Sequence, residues 1–169
     1  MVCMKYLIAI LAVAGIFVSV RALQVHLMDE SQTPPCAVTA TFDCGTVNHG
    51  PYSVFPPYDT LRDYDDNGKL EPHGLHIPVA VIGIAGYALI LLCALLGRIR
   101  LVLEMARIGF LCAAFLSYLE DYVIHKWCIY CLWSQGIMTA ILLAAIVATV
   151  LRKRRRARSM VEVLSEQLD

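Results

Sequence analysis

The stretch Trp127-Cys128-Ile129-Tyr130-Cys131-Leu132-Trp133-Ser134 stands at the mouth of an apolar run that continues to Leu151. If that run is a helix, two thiols three residues apart share one face of it. They also fall in the first turn, where unpaired N–H groups and the helix dipole favour a thiolate. Cysteines so placed can have their pKa lowered to about 3.5–7.5 from about 8.5, which suits thiol–disulfide exchange. A structural disulfide or half of a metal site also accounts for an isolated Cys-x-x-Cys, so the surrounding chain has to decide.

The chain has 169 residues, enough for one domain. It is 59% hydrophobic with a mean hydropathy of +0.64, well above a soluble globular composition. Formal net charge is zero, but six of the fourteen Lys and Arg residues lie within Arg152–Arg158, and eight of the fourteen acids lie between Asp29 and Glu71. Such segregation suits a protein held across a membrane better than one that binds nucleic acid.

Outward from the cysteine pair, Ile129–Leu151 reads as a membrane span and Arg152–Asp169 as a basic, then mixed, tail. On the other side a short link, Tyr122–Trp127, leads back to a span at Leu101–Val123. Glu104 and Arg107 are spaced to pair near one end of that span, and Glu120-Asp121 lies near the other. Gly97-Arg98-Ile99-Arg100 is a short basic turn. Ile77–Leu96 is twenty residues without a charge, and such a run makes a helix of about 30 Å, long enough to span. Pro78 suits its first turn.

Asp29–His76 holds six of the seven prolines and no long apolar run, so it reads as a polar loop outside the membrane. Met4–Met28 is the first span, with Arg21 snorkelling near its outer end. A cleaved secretory signal is the alternative, but Ser19-Val20-Arg21-Ala22 lacks the Ala-x-Ala cleavage pattern. The expected fold is all-α and integral to the membrane. One domain over 1–151 forms a four-transmembrane-helix bundle, with spans 4–28, 77–96, 101–123 and 129–151 and an outer loop 29–76 between the first two helices. Residues 152–169 form the tail. Lys5, Arg98, Arg100 and the Arg152–Arg158 cluster fall on one side, so both termini are cytoplasmic and the loop shares the outer face with Cys128 and Cys131. That face belongs to an oxidising compartment, a periplasm or its equivalent.

Of seven cysteines, Cys36 and Cys44 lie in the loop. A disulfide between them would close a ring of about nine residues, worth roughly 2–3 kcal/mol on the loop-entropy model. Two pairs on one face could also exchange electrons by thiolate attack. Cys3, Cys93 and Cys112, in or beside the spans, read as small buried hydrophobes. Asp63-Tyr64-Asp65-Asp66-Asn67-Gly68-Lys69-Leu70 matches half of a calcium-binding EF-hand loop, but Gly74 stands where the bidentate Glu is needed; a solvated Asn-Gly turn is the plainer reading.

The chain resembles the vitamin K epoxide reductase family of membrane thiol oxidoreductases. The resemblance rests on Cys36…Cys44-Gly45-Thr46-Val47, Tyr52-Ser53-Val54-Phe55, Gly74-Leu75-His76-Ile77-Pro78 through Gly86-Tyr87, Tyr118-Leu119-Glu120, and Trp127-Cys128-Ile129-Tyr130-Cys131…Ser134. It implies a four-helix bundle that holds a quinone, of ubiquinone or menaquinone/vitamin K type, beside Cys128 and Cys131. By position, Cys131 reacts with the quinone, Cys128 exchanges with Cys44, and Cys36 meets the protein substrate. Ser53 and Phe55 match the segment that covers the quinone, and Val79, Tyr118, Tyr130 and Gln135 are the other candidate contacts. Val79 stands where vertebrate vitamin K recyclers carry an Asn, and Gln135 where they carry a Tyr, which argues against vitamin K epoxide as the substrate.

The implied function is disulfide generation in the bacterial inner membrane. Electrons would pass from a thioredoxin-like periplasmic oxidase, acting in trans, to the membrane quinone. Reduction of vitamin K quinone or epoxide is the alternative. A claudin-like structural four-span protein leaves Cys128 and Cys131 unexplained, and a zinc site on the four outer cysteines would show no quinone dependence. Aromatics Phe115, Tyr118, Tyr122, Trp127, Tyr130 and Trp133 also fit an interfacial belt. The topology predicts that a membrane-impermeant thiol reagent labels Cys36 in reduced intact cells and does not label an Arg156→Cys variant; the reverse pattern would overturn the arrangement.

Overall fold

The structure, a computed structural model, describes residues 2–29, 36, 38–39, 41–58 and 75–166, with side chains from Met4 to Met160 within those ranges. The half EF-hand at Asp63–Leu70, with the rest of the outer loop over 59–74, and the Cys3 side chain lie outside the described residues.

Four long helices dominate: α1 (Val2–His26), α3 (Val79–Leu95), α4 (Ile99–Leu119) and α5 (Ile129–Glu166). Between α1 and α3 come the short α2 (Cys44–His49), a 3₁₀ turn at Pro51–Ser53, and strands β1 (Val54–Phe55) and β2 (Ile77–Pro78). The strands pair antiparallel, Val54 opposite Pro78 and Phe55 opposite Ile77. This pairing delays the second long helix to Val79, two residues later than the apolar run suggests. Ile77 is drawn into backbone pairing, and Pro78 sits just outside the helix at φ −54° and ψ 131°.

The turn between α3 and α4 shows why the sequence reverses there. Gly97 adopts φ +69°, its N–H bonds the Ala94 carbonyl at 3.0 Å, and the Arg98 N–H bonds the Cys93 carbonyl at 2.9 Å. These two bonds close the Schellman motif that a glycine beyond a helix end permits. At its far end α4 does not stop at a loop; it widens into a π turn over Glu120–Ile124 and ends at His125, φ 54°. Helical backbone therefore covers part of the expected link. The basic tail likewise continues α5 without interruption, since no Gly or Pro breaks it.

The helices form a bundle in which α1 packs on α3 and α5, and α4 on α5 and α3. Its centre holds Ile8, Tyr87, Ile90, Val102 and Ile141, all essentially buried. Ala12, Ala106 and Ala145 are buried beside them, and such small residues let backbones approach closely. The Tyr87 hydroxyl donates to the Ser134 carbonyl at 2.9 Å, tying α3 to α5. Met4–His26 and Ile129–Met160 are long and apolar enough to cross a membrane, each holding an 18-residue stretch with a mean hydropathy of 2.2 and 2.0 respectively. Helix α3 is apolar but has 17 residues. Helix α4 carries Arg100, Glu104 and Arg107, the last two joined in an exposed ion pair of 2.8 Å.

Gly15 and Gly109 separate two kinds of close approach. A Cβ at Gly15 would overlap the buried Tyr87 ring, whereas one at Gly109 would meet the flexible end of Met138. Gly15→Ala should lower stability by ~1–3 kcal/mol, as overpacking against a rigid neighbour does, and Gly109→Ala by clearly less. Thermal unfolding of the two variants in detergent checks the order.

Candidate functional site

The cysteine loop is attached to the start of α5 by backbone. Phe42 and Trp127 form a parallel bridge, with the Trp127 N–H donating to the Thr41 carbonyl at 2.9 Å and the Asp43 N–H to the Trp127 carbonyl at 3.1 Å. His125, in its left-handed conformation, turns the chain out of α4 so that Trp127 can present this edge. Cys44 and Cys128, each following a paired residue, are thereby brought into one buried cluster with Cys36, Val25 and Val47.

Asp43 then caps α2. Its Oδ1 accepts from the Gly45 and Thr46 N–H groups at 3.1 and 3.2 Å, and Oδ2 accepts from the Thr46 hydroxyl at 2.7 Å. The Thr46 hydroxyl above all, then the two N–H groups and the Lys126 charge, hold the Asp43 carboxyl below its ordinary value against desolvation by burial. The His49 ring reaches the Gly45 and Met28 carbonyls, both at 3.0 Å, and so ties α2 to the end of α1.

Cys36 and Cys44 form a disulfide with Cα atoms 5.8 Å apart, and Cys128 and Cys131 are free thiols. Cys128 is the residue that caps α5: its carbonyl accepts the first helical bond, from the Leu132 N–H at 3.0 Å. The Cys131 thiol, foremost, holds the Cys128 thiol below its ordinary value, opposed by burial and aided by the Cys131 N–H and the Asn48 amide. Asn48 Nδ2 lies 3.4 Å from Cys128 Sγ and also donates to the Cys44 carbonyl at 2.9 Å. Glu120, 2% exposed, accepts from the Cys128 N–H at 3.1 Å. Cys128 thus faces the loop, while Cys131, one turn on, lines a cavity of about 380 Å³ between the helices.

Of the expected quinone contacts, Ser53, Val79 and Tyr130 line this cavity with Cys131. Phe55, Tyr118 and Gln135 do not. The strand alternation that buries Val54 turns Phe55 outward, leaving it 64% exposed. Tyr118 lies two positions past the cavity-lining Leu116, hence on the opposite side of α4, where it stacks on Tyr122. Gln135 is one position past the cavity-lining Ser134, rotated off that face. Cys36, expected as the outer thiol, is buried at 4% exposure. Cys93 is half-buried as a packing residue, but Cys112 is exposed rather than buried, since α4 turns it toward the open cavity.

Polar residues that motif reasoning left without a role also reach the cavity, among them His26, Asn48 and Glu120. His26 bonds the Asn48 carbonyl through Nδ1. A polar residue inside or beside an apolar run was the available signal for Glu120; Asn48 carried none, being one polar residue among many in the loop.

Because the Asp43 carboxyl is depressed in the folded chain, its contribution to stability is present above the unfolded carboxyl pKa and is lost as pH falls through the folded value. Asp43→Asn keeps a good cap without that charge, whereas Asp43→Ala should cost about 1 kcal/mol. The stability advantage of the parent over Asp43→Asn should therefore be present at pH 6 and disappear in strong acid, as followed by thermal unfolding across the pH range.

A search of curated proteins returns no match to the chain. The model of the vitamin K epoxide reductase family, a family of oxidoreductases, matches residues 6–146, a range that takes in α1, the loop disulfide, the cavity and both free thiols of the Cys-x-x-Cys pair. Over most of its length, then, the chain belongs to the vitamin K epoxide reductase family.

Proposed function

We propose that this protein is a four-span membrane enzyme that passes electrons from protein thiols to a quinone. The observation that carries the reading is the seriation of sulfurs. A loop disulfide and the Cys128 thiol share one buried cluster, and Cys131 of the same Cys-x-x-Cys pair stands on the wall of an apolar cavity. The membrane part is supported by the outward faces of all four long helices. Phe17, Leu92, Leu111, Phe115 and Leu143 are exposed there, in a pattern that water does not tolerate and lipid does. Both termini are cytoplasmic on this reading, and the loop is periplasmic in a bacterial inner membrane.

The cavity suits a quinone ring. Its walls are mostly hydrocarbon, with a few polar groups from Ser53, Asn48 and Glu120, and its volume lies within the usual range for small-ligand sites. When bound, a quinone supplies a two-electron acceptor. The chain's own residues do the rest. A thiolate of a thioredoxin-like partner, acting in trans, attacks Cys36 and frees Cys44. The freed Cys44 thiolate attacks Cys128 of an oxidised Cys128–Cys131 pair and releases Cys131. The partner's second thiol resolves its bond to Cys36. Cys36 then attacks Cys44, which restores the loop disulfide and leaves two thiols at the start of α5. Asn48 and the first turn of α5 stabilise the Cys128 thiolate as it leaves. Since Cys36 is buried, the loop must open for a folded partner to reach it. Val79 on the cavity wall offers no amide to an epoxide, so vitamin K epoxide reduction is the less favoured reading.

The direct test is transfer of electrons from a reduced thioredoxin-like protein to a quinone by the purified chain. Cys128→Ala and Cys131→Ala should each abolish it. Cys36→Ala should lose turnover with the protein thiol yet keep some with dithiothreitol, which can bypass the loop. In Cys131→Ala a Cys44–Cys128 bond should accumulate, identified by mass spectrometry of the linked peptides. Normal protein-thiol turnover by Cys36→Ala would make the loop disulfide purely structural.

A further inference from the structure

Glu120 is a carboxyl group buried beside the Cys128/Cys131 pair. It is 2% exposed, at the point where α4 widens into its π turn. Such widened turns are frequent at functional positions. One oxygen, Oε2, accepts from the Cys128 N–H at 3.1 Å. The other, Oε1, is buried with no hydrogen-bond partner among the described residues. Leaving a buried polar atom unpaired is costly, and such atoms in folded proteins call for a reason. Here the carboxyl lies against the Cys131 thiol and forms part of the cavity wall.

We propose that Glu120 is a catalytic residue that accepts the proton leaving the Cys131 thiol when the Cys128/Cys131 pair is oxidised, and passes it toward the cavity. The inference rests on the quinone reading of that cavity. In the overall step two S–H bonds break and one S–S bond forms. The two electrons go to the quinone, which is the oxidant, and the two protons end on its oxygens. One proton starts on Cys131 and travels through Glu120, which is regenerated; the other starts on Cys128.

Other titratable groups on the same wall are less well placed to take the Cys131 proton. His26, from α1, is committed through Nδ1 to the Asn48 carbonyl, and the Tyr87 hydroxyl, from α3, is bonded to Ser134. Tyr52, Cys112 and Tyr130 also line the cavity, but the side chains that act on the Cys131 thiol are Cys128 and Glu120. Among the described residues, Glu120 alone combines contact with the Cys131 thiol, a site on the wall and a buried carboxyl oxygen to which no other group donates.

Two measurements on the full-length protein test this. The first needs no quinone: infrared difference spectra between the dithiothreitol-reduced and disulfide forms of the Cys128/Cys131 pair. A carboxyl band that changes with the redox state of the pair, and that Glu120→Gln removes, is expected. The second is quinone-dependent oxidation of the pair. Glu120→Gln keeps an acceptor for the Cys128 N–H but cannot carry a proton, and should slow this step by about 10²–10⁴-fold, the usual range for acid–base catalysis. Glu120→Asp should recover part of the loss. Full-rate oxidation by Glu120→Gln, or a carboxyl band indifferent to the redox state of the parent protein, would overturn the proposal. The infrared result is read on the parent protein, so a variant that folds poorly does not remove the test. Failure of the parent protein to reduce any quinone would instead sink the functional reading, whatever the carboxyl band shows.

Discussion

Two backbone hydrogen bonds, from Trp127 to Thr41 and from Asp43 to Trp127, join the cysteine loop to the mouth of α5, and the site depends on them. Backbone pairing of this kind sets register as well as proximity, because each bond specifies which residue stands opposite which. Cys44 follows Asp43 and Cys128 follows Trp127, so fixing those neighbours sets both sulfurs into one buried cluster. Once there, the cluster excludes water, and the local polar groups act at short range in a medium that screens them little. The Asp43 cap on α2 and the His49 bridge to Met28 then keep the loop from sliding along the helix end.

The interior polar groups are arranged around the thiols rather than spread through the bundle. Asn48 links the Cys44 carbonyl to the Cys128 sulfur, and Glu120 holds the Cys128 N–H. Elsewhere among the described residues the buried polar side-chain atoms of the bundle include Ser19 beside Gly83, the Tyr87 hydroxyl, Ser53 Oγ and Gln135 Oε1, and the rest of the core is mostly hydrocarbon. Burying a polar group is tolerable when it is hydrogen-bonded, so concentrating such groups at one end confines the cost to the place where chemistry requires them. The bundle below supplies rigidity: Tyr87 packs into the space left by Gly15, and both belong to helices that line the cavity.

The π turn at Glu120–Ile124 connects these two levels. It carries Glu120 into the interior and delivers the chain to His125, whose left-handed conformation aims Trp127 at the loop. A plain helical end would have satisfied the backbone of α4 equally well. The widened turn instead serves the carboxyl and the strand-like segment after it, and so couples the cavity wall to the loop attachment.

Much of this was legible in the chain itself. Apolar runs bounded by Gly97 and by charged turns mark the long helices, because removing a continuous apolar surface from water is the strongest driving force open to such a sequence. Cys128 and Cys131 at the start of one run announce a dithiol on a helix end, since spacing along a helix is a local property. Resemblance names Ser53, Val79 and Tyr130 as quinone contacts, and the folded chain sets them on the cavity wall. Phe55, Tyr118 and Gln135 were not separable from them, because which face a residue shows depends on strand phase and helix rotation, and those are settled by packing partners. Likewise the β1–β2 pair that delays α3, the π turn, and the convergence of Asn48, Glu120 and Cys128 involve groups up to eighty positions apart. Local propensity says nothing about such meetings. They are decided when the loop edge pairs with Trp127, and that pairing exists only in the folded chain.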